Sequence, residues 1–393
     1  MSQGSSNPIT TVTFKKEALT AFGELRVANT APITGWNFTY NIMTDIVDTA
    51  TTGTGTVTHS ASRAKLSSSA AINSSAKIAT RRALRYTGGV GGLARFTTVY
   101  ETAGTAGNTR IHGIGNGTDG FFFGFNGITF GILYRRSSVD TWYPQTSWNY
   151  NTCPWLNKTY GNVYEINYQW LGYGWIFFSM EDPATGRITL VHAIKYSNTS
   201  PNVATLNPNL PIEMYNANDG TCSTDCVMYS PSAMGFSENA SLASPHGPLD
   251  IPRQATGTVN ASTGRVVLLV ENQTTLNGIT NRINLILESL NLTADGTKTA
   301  SFVIVRDPTM GGTAPVYTNI LLNQSPVRYS TTAGMTYTGG TVIWSGTLMK
   351  LDRLTESIQP LQLLIAPGES FIISFTSTSN TDVDATVFWV EGI

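Results

Sequence analysis

The stretch from Arg110 to Trp148 constrains the fold of this chain more than any other part of it. It reads RIHGIGNGTDGFFFGFNGITFGILYRRSSVDTWYPQTSW. Asn126-Gly127 stands at its centre, and Asn-Gly favours a two-residue type I′ hairpin turn because both central positions need positive φ. On each side the residues alternate with period two, the mark of a strand with one buried face. A turn on Asn126 and Gly127 sets Phe125 opposite Ile128, Phe123 opposite Phe130 and Phe121 opposite Ile132. All six then share one face, and cross-strand apolar pairs of this kind are what holds a sheet together. The other face pairs Gly124 with Thr129 and Phe122 with Gly131, so that a ring lies over a strand glycine. The expectation is a core hairpin near the middle of a large β domain, and it carries no evident catalytic group.

Composition agrees with an all-β chain. Only 12% of residues are charged, about half the usual share, and the net charge is −1. Neither nucleic acid nor an anionic membrane is expected as a partner. Polarity comes from Thr, Ser, Asn and Gly, a β-branched and turn-rich mixture that suits β-sandwiches. No apolar run approaches the roughly 18 residues of a membrane helix. MSQGSSNPITTVTF lacks a basic region followed by an apolar one, so no secretory signal is expected there. The three cysteines are too few for a disulfide scaffold. Cys222 and Cys226 lie four apart in a Thr/Ser/Asp loop without a nearby histidine, so they and Cys153 read as free thiols. No metal and no cofactor is expected.

Residues 1–35 read as an N-terminal arm, with a short strand at Phe22–Val27 that Pro32 ends. Ordering such a polar segment costs roughly 1–2 kcal/mol per residue in backbone entropy. The expectation is that Phe14, Leu19, Phe22, Leu25 and Val27 bury against a neighbouring subunit. Residues 36–245 form the first sandwich, beginning with Trp36, Phe38 and Tyr40 on one face of a strand. Thin strands follow to Ala79, and Arg81, Arg82 and Arg85 are read as the exposed side of another. Leu93–Glu101, Asn162–Gln169, Trp175–Glu181 and Arg187–Tyr196 read as strands, with a tight turn at Asp182–Gly186. Residues 197–226 read as loops, and the proline- and glycine-marked segment 246–263 as a linker. Residues 264–393 hold a smaller sandwich of seven strands: Arg265–Asn272, Ile283–Thr293, Lys298–Asp307, Thr341–Met349, Leu361–Ile365, Glu369–Thr376 and Ala385–Glu391. Asp295-Gly296 is a second hairpin signal.

Catalytic signatures are sparse. Gly115-Asn-Gly117-Thr-Asp-Gly120 matches the letters of a nucleotide-binding loop, but a Phe-rich strand follows where that loop needs a helix, so the glycines read as a turn. His59, His112, His192 and His246 show no paired spacing. A polysaccharide-degrading enzyme would need two carboxylates across a cleft, for which Glu165, Glu181, Asp182 and Glu213 are available. The better contact signal is aromatic. Trp142, Tyr143, Trp148, Tyr150 and Trp155 fall within fourteen residues, and rings with polar handles suit sandwich caps, subunit contacts and sugar stacking alike.

Six phrases carry a resemblance, in this order: FGELRV, RRALRY, DGFFFGFNGITFGILYRR, DTWYPQTSWN, NVYEINYQWLGYGWIFF and LVHAIKYSN. They resemble virion structural proteins of tailed phages and large DNA viruses, of the tail, baseplate, fibre or capsid-surface kind. The likeness spans roughly residues 20–240, and the C-terminal unit is similar to the sandwich that follows in such proteins. It implies a concanavalin-like or jelly-roll-like first sandwich and a smaller jelly-roll-like second one. It also implies a place in the virion, self-association and docking on other virion proteins, without enzymatic activity. The alternative it leaves open is a receptor- or glycan-binding module on the virion surface.

Overall fold

The structure is a computed structural model. It describes residues 30–86, 88–238, 251–261, 265–295, 299–350, 352–358, 363–377 and 381–392. Among them every regular element is a strand except one 3₁₀ turn, Gln145–Ser147.

Sixteen strands build the first unit. They are β1 (Thr30–Asn37), β2 (Val47–Thr52), β3 (Thr56–Ser60), β4 (Arg63–Ser67), β5 (Ser75–Thr80), β6 (Gly92–Tyr100), β7 (Asn108–Gly115), β8 (Gly120–Asn126), β9 (Thr129–Arg136), β10 (Val139–Pro144), β11 (Asn162–Tyr168), β12 (Ile176–Asp182), β13 (Arg187–Ile194), β14 (Ile212–Asn218), β15 (Val227–Ser230) and β16 (Ser232–Glu238). One antiparallel sheet runs β13-β12-β11-β6-β15-β4-β3, with β16 joining β6 to β1. The other runs β10-β9-β8-β7-β14-β5-β2. The core lies between them. Phe121, Phe123, Phe125, Phe130 and Ile132 of one sheet meet Trp36, Phe96, Tyr164 and Phe178 of the other. Phe123 is the centre, with ring centroids 4.9 Å from Tyr164 and 5.6 Å from Phe178.

The second unit is also a sandwich. Its first sheet contains Ile251–Ala261, Thr381–Gly392, Asn284–Asp295 and Asp352–Ser357, and its second is centred on Arg265–Asn272, Ser370–Ser377 and Ala300–Arg306. Leu287, Leu290, Phe302, Phe375 and Trp389 fill the space between. All-β architecture in two sandwiches is therefore as the sequence predicts.

Several local expectations are corrected. The central hairpin forms, but two residues out of register. Asn126 pairs with Thr129, Phe125 with Phe130, Phe123 with Ile132 and Phe121 with Tyr134. The turn residues are Gly127 and Ile128; Gly127 has φ +59° and Ile128 has no positive φ, which fits the type II′ turn with glycine first. A shift of two keeps every side chain on its face, so Phe123 and Phe130 still share the core while Ile128 is 75% exposed. The register gains Tyr134, which stacks on Phe121 and hydrogen-bonds Tyr196 and Ala204 O. No local turn rule contains those partners.

Other corrections follow from edges and crossovers. Thr30–Pro32, assigned to the arm, belong to β1 and pair with β16, and Pro32 sits at a bulge in an edge strand, where its missing N–H is tolerated. The expected strand at 22–27 and the apolar residues of the arm lie outside the described residues. β1 ends at Asn37, so Trp36 and Phe38 are buried while Tyr40 is 91% exposed. Arg81, Arg82 and Arg85 follow β5 in irregular chain, not in a strand. The loop-rich stretch contains β14, a central strand of its sheet. Much of the expected linker is strand Ile251–Ala261, paired along its length with Thr381–Gly392. Gly296, of the second hairpin signal, lies outside the described residues, and the strands that flank it, Asn284–Asp295 and Ala300–Arg306, belong to opposite sheets.

Candidate functional site

The outward face of the seven-stranded sheet is built from alternate residues of β10, β9, β8, β7, β14 and β5. One line across the strands runs Trp142, Leu133, Phe122, Gly113, Glu213, Ala79. The next runs Pro144, Gly131, Gly124, Ile111, Tyr215, Lys77. Ile111, Phe122 and Leu133 form a small buried cluster on which Trp142 and Tyr215 pack, both half-buried. Between these two rings Leu133, Phe122 and Ile111 alternate with Gly131, Gly124 and Gly113, all of them buried. A Cβ on Gly124 would lie 2.0 Å from Arg110 O, one on Gly113 2.1 Å from Phe121 O, and one on Gly131 2.4 Å from Tyr143 O. Backbones approach too closely for any side chain. Trp142 and Tyr215 stand on strands four spacings apart, roughly 19 Å.

Charge on this face is paired. Lys77 Nζ lies 2.7 Å from Glu213 Oε2. Burial raises the Glu213 carboxyl above its ordinary range, and Lys77, Arg135 and Arg282 oppose that shift. Arg135 meets Asp140 at 2.6 Å, and its guanidinium lies over the Phe122 ring, 5.8 Å from the centroid. The four carboxylates considered for hydrolysis are not gathered across one cleft. Glu213 is on this face, whereas Glu165 is on the outward side of the other sheet, 2.6 Å from Arg95. Glu181 and Asp182 close β12 at the turn to β13.

The five aromatic residues singled out in the sequence are divided. Trp148 is core, edge-on to Phe123 at 5.9 Å. Tyr143 faces inward beside His192, ring centroids 4.8 Å apart, and Trp155 packs on the same core. Tyr150 is 53% exposed. Trp142 alone reaches the outward face just described, because it alternates with Tyr143 along β10. Cys153, Cys222 and Cys226 are buried and unbridged, and burial pushes the Cys153 thiol up to about 11.

Sequence reasoning missed a second aromatic surface, on the outward side of the nine-stranded sheet. Trp175 and Phe177 lie there side by side, centroids 5.8 Å apart. The unbroken run Trp175-Ile176-Phe177-Phe178 hid them, since alternation cannot be read where every residue is apolar. Tyr215 was missed with β14 itself.

The two units meet along a seam. Arg81 donates to Asp48 of its own unit at 3.0 Å and to Glu369 of the other at 3.1 Å. Arg282 of the second unit donates to Asn209 O of the first. A cleft of 460 Å³ lies beside Arg81, lined also by Ile33, Arg82, Arg306 and Leu364.

No family model matches the chain, and no curated protein matches it. Among solved structures, a peanut lectin with a bound nine-residue peptide aligns over 55% of this chain and 100% of its own, with 14% identity and a TM-score of 0.35. A glycosyl hydrolase family protein from Mycobacterium fortuitum aligns over 52% and 99%, with 11% identity and a TM-score of 0.37. The metal-free lectin I-B4 from Griffonia simplicifolia aligns over 52% and 99%, with 10% identity and a TM-score of 0.33. Likeness this distant carries no functional argument.

Proposed function

We propose that the protein is a non-enzymatic binding module of a virion surface, engaging host-surface glycan through its first sandwich. The observation that carries this reading is the outward face on which Trp142 and Tyr215 pack, half-buried, over Ile111, Phe122 and Leu133. Flat rings with polar tips stack on sugar faces. Ion-paired carboxylates on the same face favour binding over hydrolysis, because a general acid and a nucleophile must each be free to reach the glycosidic bond. The viral assignment rests on the phrases from DGFFFGFNGITFGILYRR to LVHAIKYSN. An array of neutral and charged glycans probed with the purified chain tests the reading. Binding is expected, and Trp142→Ala with Tyr215→Ala should weaken neutral ligands about tenfold. An array without signal overturns it.

A second reading is a structural component that self-associates and docks on other virion proteins, and it rests on the same quoted phrases. Partners would then be other copies of the chain and neighbouring virion proteins. Sedimentation of the purified chain separates the readings: a closed oligomer supports the second, and a monomer that still binds glycan supports the first alone.

A further inference from the structure

The outward side of the nine-stranded sheet carries a shelf that the reading above does not use. Its register is set by three strands. Phe177 pairs with Asn167 of β11 and with Ala193 of β13. One step further, Gln169 N donates to Trp175 O at 3.1 Å, so Gln169 and Trp175 are cross-strand neighbours. Lys195 continues β13 on the same side, two residues beyond Ala193, and its ammonium lies 4.9 Å from the Trp175 ring centroid. Two rings, two amides and one ammonium are thereby gathered on one patch.

The rings are held. The Trp175 indole N–H donates to Ser197 Oγ at 3.0 Å. Nearby, Trp170 Nε1 donates to Thr205 O and Tyr173 O–H to Pro201 O. An aromatic ring whose polar tip is already bonded loses little freedom when a ligand stacks on it. Charge then decides the class of ligand. Around the shelf, Glu165 is engaged by Arg95 and Glu238 by Asn167. Lys195 has no carboxylate partner among the described residues. An exposed ammonium over a ring is an uncompensated positive charge beside a stacking surface.

We infer that this shelf binds an acidic sugar, a pyranose bearing a carboxylate, stacked on Trp175 and Phe177 with its carboxylate on Lys195. Asn167 and Gln169 supply amide contacts to ring hydroxyls. The inference rests on the glycan-binding reading and adds a second site, on the opposite face from Trp142, with a different ligand class.

Titration of the full chain with digalacturonate and sialyllactose, against cellobiose and lactose, tests it. The acidic probes should bind at least about tenfold more tightly than the neutral ones, with the preference falling as salt rises. Lys195→Ala should remove the preference and Lys195→Arg retain it. Trp175→Ala should abolish binding of the acidic probes, while Trp175→Phe, which keeps a ring and the fold, should weaken it only a few-fold. Equal affinity for acidic and neutral probes overturns the inference. So does acidic binding that survives Trp175→Ala, or that is lost in Trp142→Ala instead; in both cases the glycan-binding reading stands. Absence of binding by every probe, acidic and neutral, overturns both.

Discussion

His112 shows what burial does to a single side chain. It is fully enclosed between the sheets, 4.2 Å from the Phe96 ring and stacked on Trp36, with Nδ1 bonded to Thr98 Oγ1 at 2.7 Å. Its Nε2 has no hydrogen-bond partner among the described residues, so a proton there would be a buried, unpaired charge. Burial accordingly lowers the His112 pKa to about 3, and that of His192 to about 4. A depressed folded pKa means that stability is complete above the unfolded value of about 6.5 and is lost as pH falls toward 3. For His112 the loss is about 1.4 kcal/mol per pH unit in that window. Glu213 and Glu391 act in the opposite sense, because burial raises both carboxyls. Comparing His112→Gln with the parent cancels them. Denaturant unfolding at pH 7 and pH 5 should show a shallower acid loss in the variant, and equal slopes would contradict this account. Gly124 is a second residue-scale case. Gly124→Ala places a methyl group against Arg110 O, and forced overpacking costs typically about 1–3 kcal/mol. The denaturation midpoint should fall, whereas Gly117→Ala, where an added Cβ meets nothing within 4 Å, should cost less.

At the scale of an element, the β8–β9 hairpin separates what a turn signal can do from what a core can do. Asn126-Gly127 marks the place of reversal correctly to within one residue. The register is decided by what the two arms meet elsewhere: Tyr134 bonds Tyr196 and Ala204 O, and Tyr100 lies edge-on to Phe125 at 5.3 Å and to Phe130 at 5.8 Å. A slip of two residues changes no face, so binary patterning is indifferent to it. The two registers make opposite claims about Ile128. Ile128→Asn should leave stability within about 0.5 kcal/mol, as at other exposed sites, because Ile128 is at the turn. Phe123→Ala should cost about 3–5 kcal/mol. Thermal unfolding of the two variants checks the pair, and a large loss at Ile128 would restore the register read from the turn. Strands β11, β12 and β13 were legible for a simpler reason. The segment Asp182-Pro-Ala-Thr-Gly186 closes on itself, with Gly186 N donating to Asp182 O at 2.8 Å, so the signal and its satisfaction are both local.

For the whole molecule, the seam between units matters most. Arg81 Nη1 lies 3.1 Å from Glu369, and Arg282 reaches Asn209 O beside Asp119 and Glu213. A partly exposed ion pair contributes at most about 1 kcal/mol, so these contacts orient the units without making either fold. Arg81→Ala with Arg282→Ala should leave the far-ultraviolet circular dichroism unchanged and enlarge the radius of gyration in small-angle scattering. An unchanged radius would mean that apolar contacts alone set the orientation.

Period-two alternation and a turn-rich, weakly charged composition determined the all-β class, the two sandwiches and the positions of the hairpin strands, β6, β11, β12 and β13, because side-chain direction in a strand follows from backbone geometry within a few residues. Each of the seven strands expected in the second unit overlaps an observed one, but the described residues of that unit hold fifteen strands, so the count of seven was too low. What remained for the tertiary structure is long-range. Trp142 and Tyr215 share a face although 73 positions separate them in the chain. Trp175 and Lys195 meet because β13 returns beside β12, and Arg81 finds Glu369 across 288 positions. Contacts of that span depend on which strands become neighbours, and strand order is a property of the closed core rather than of any local run of residues.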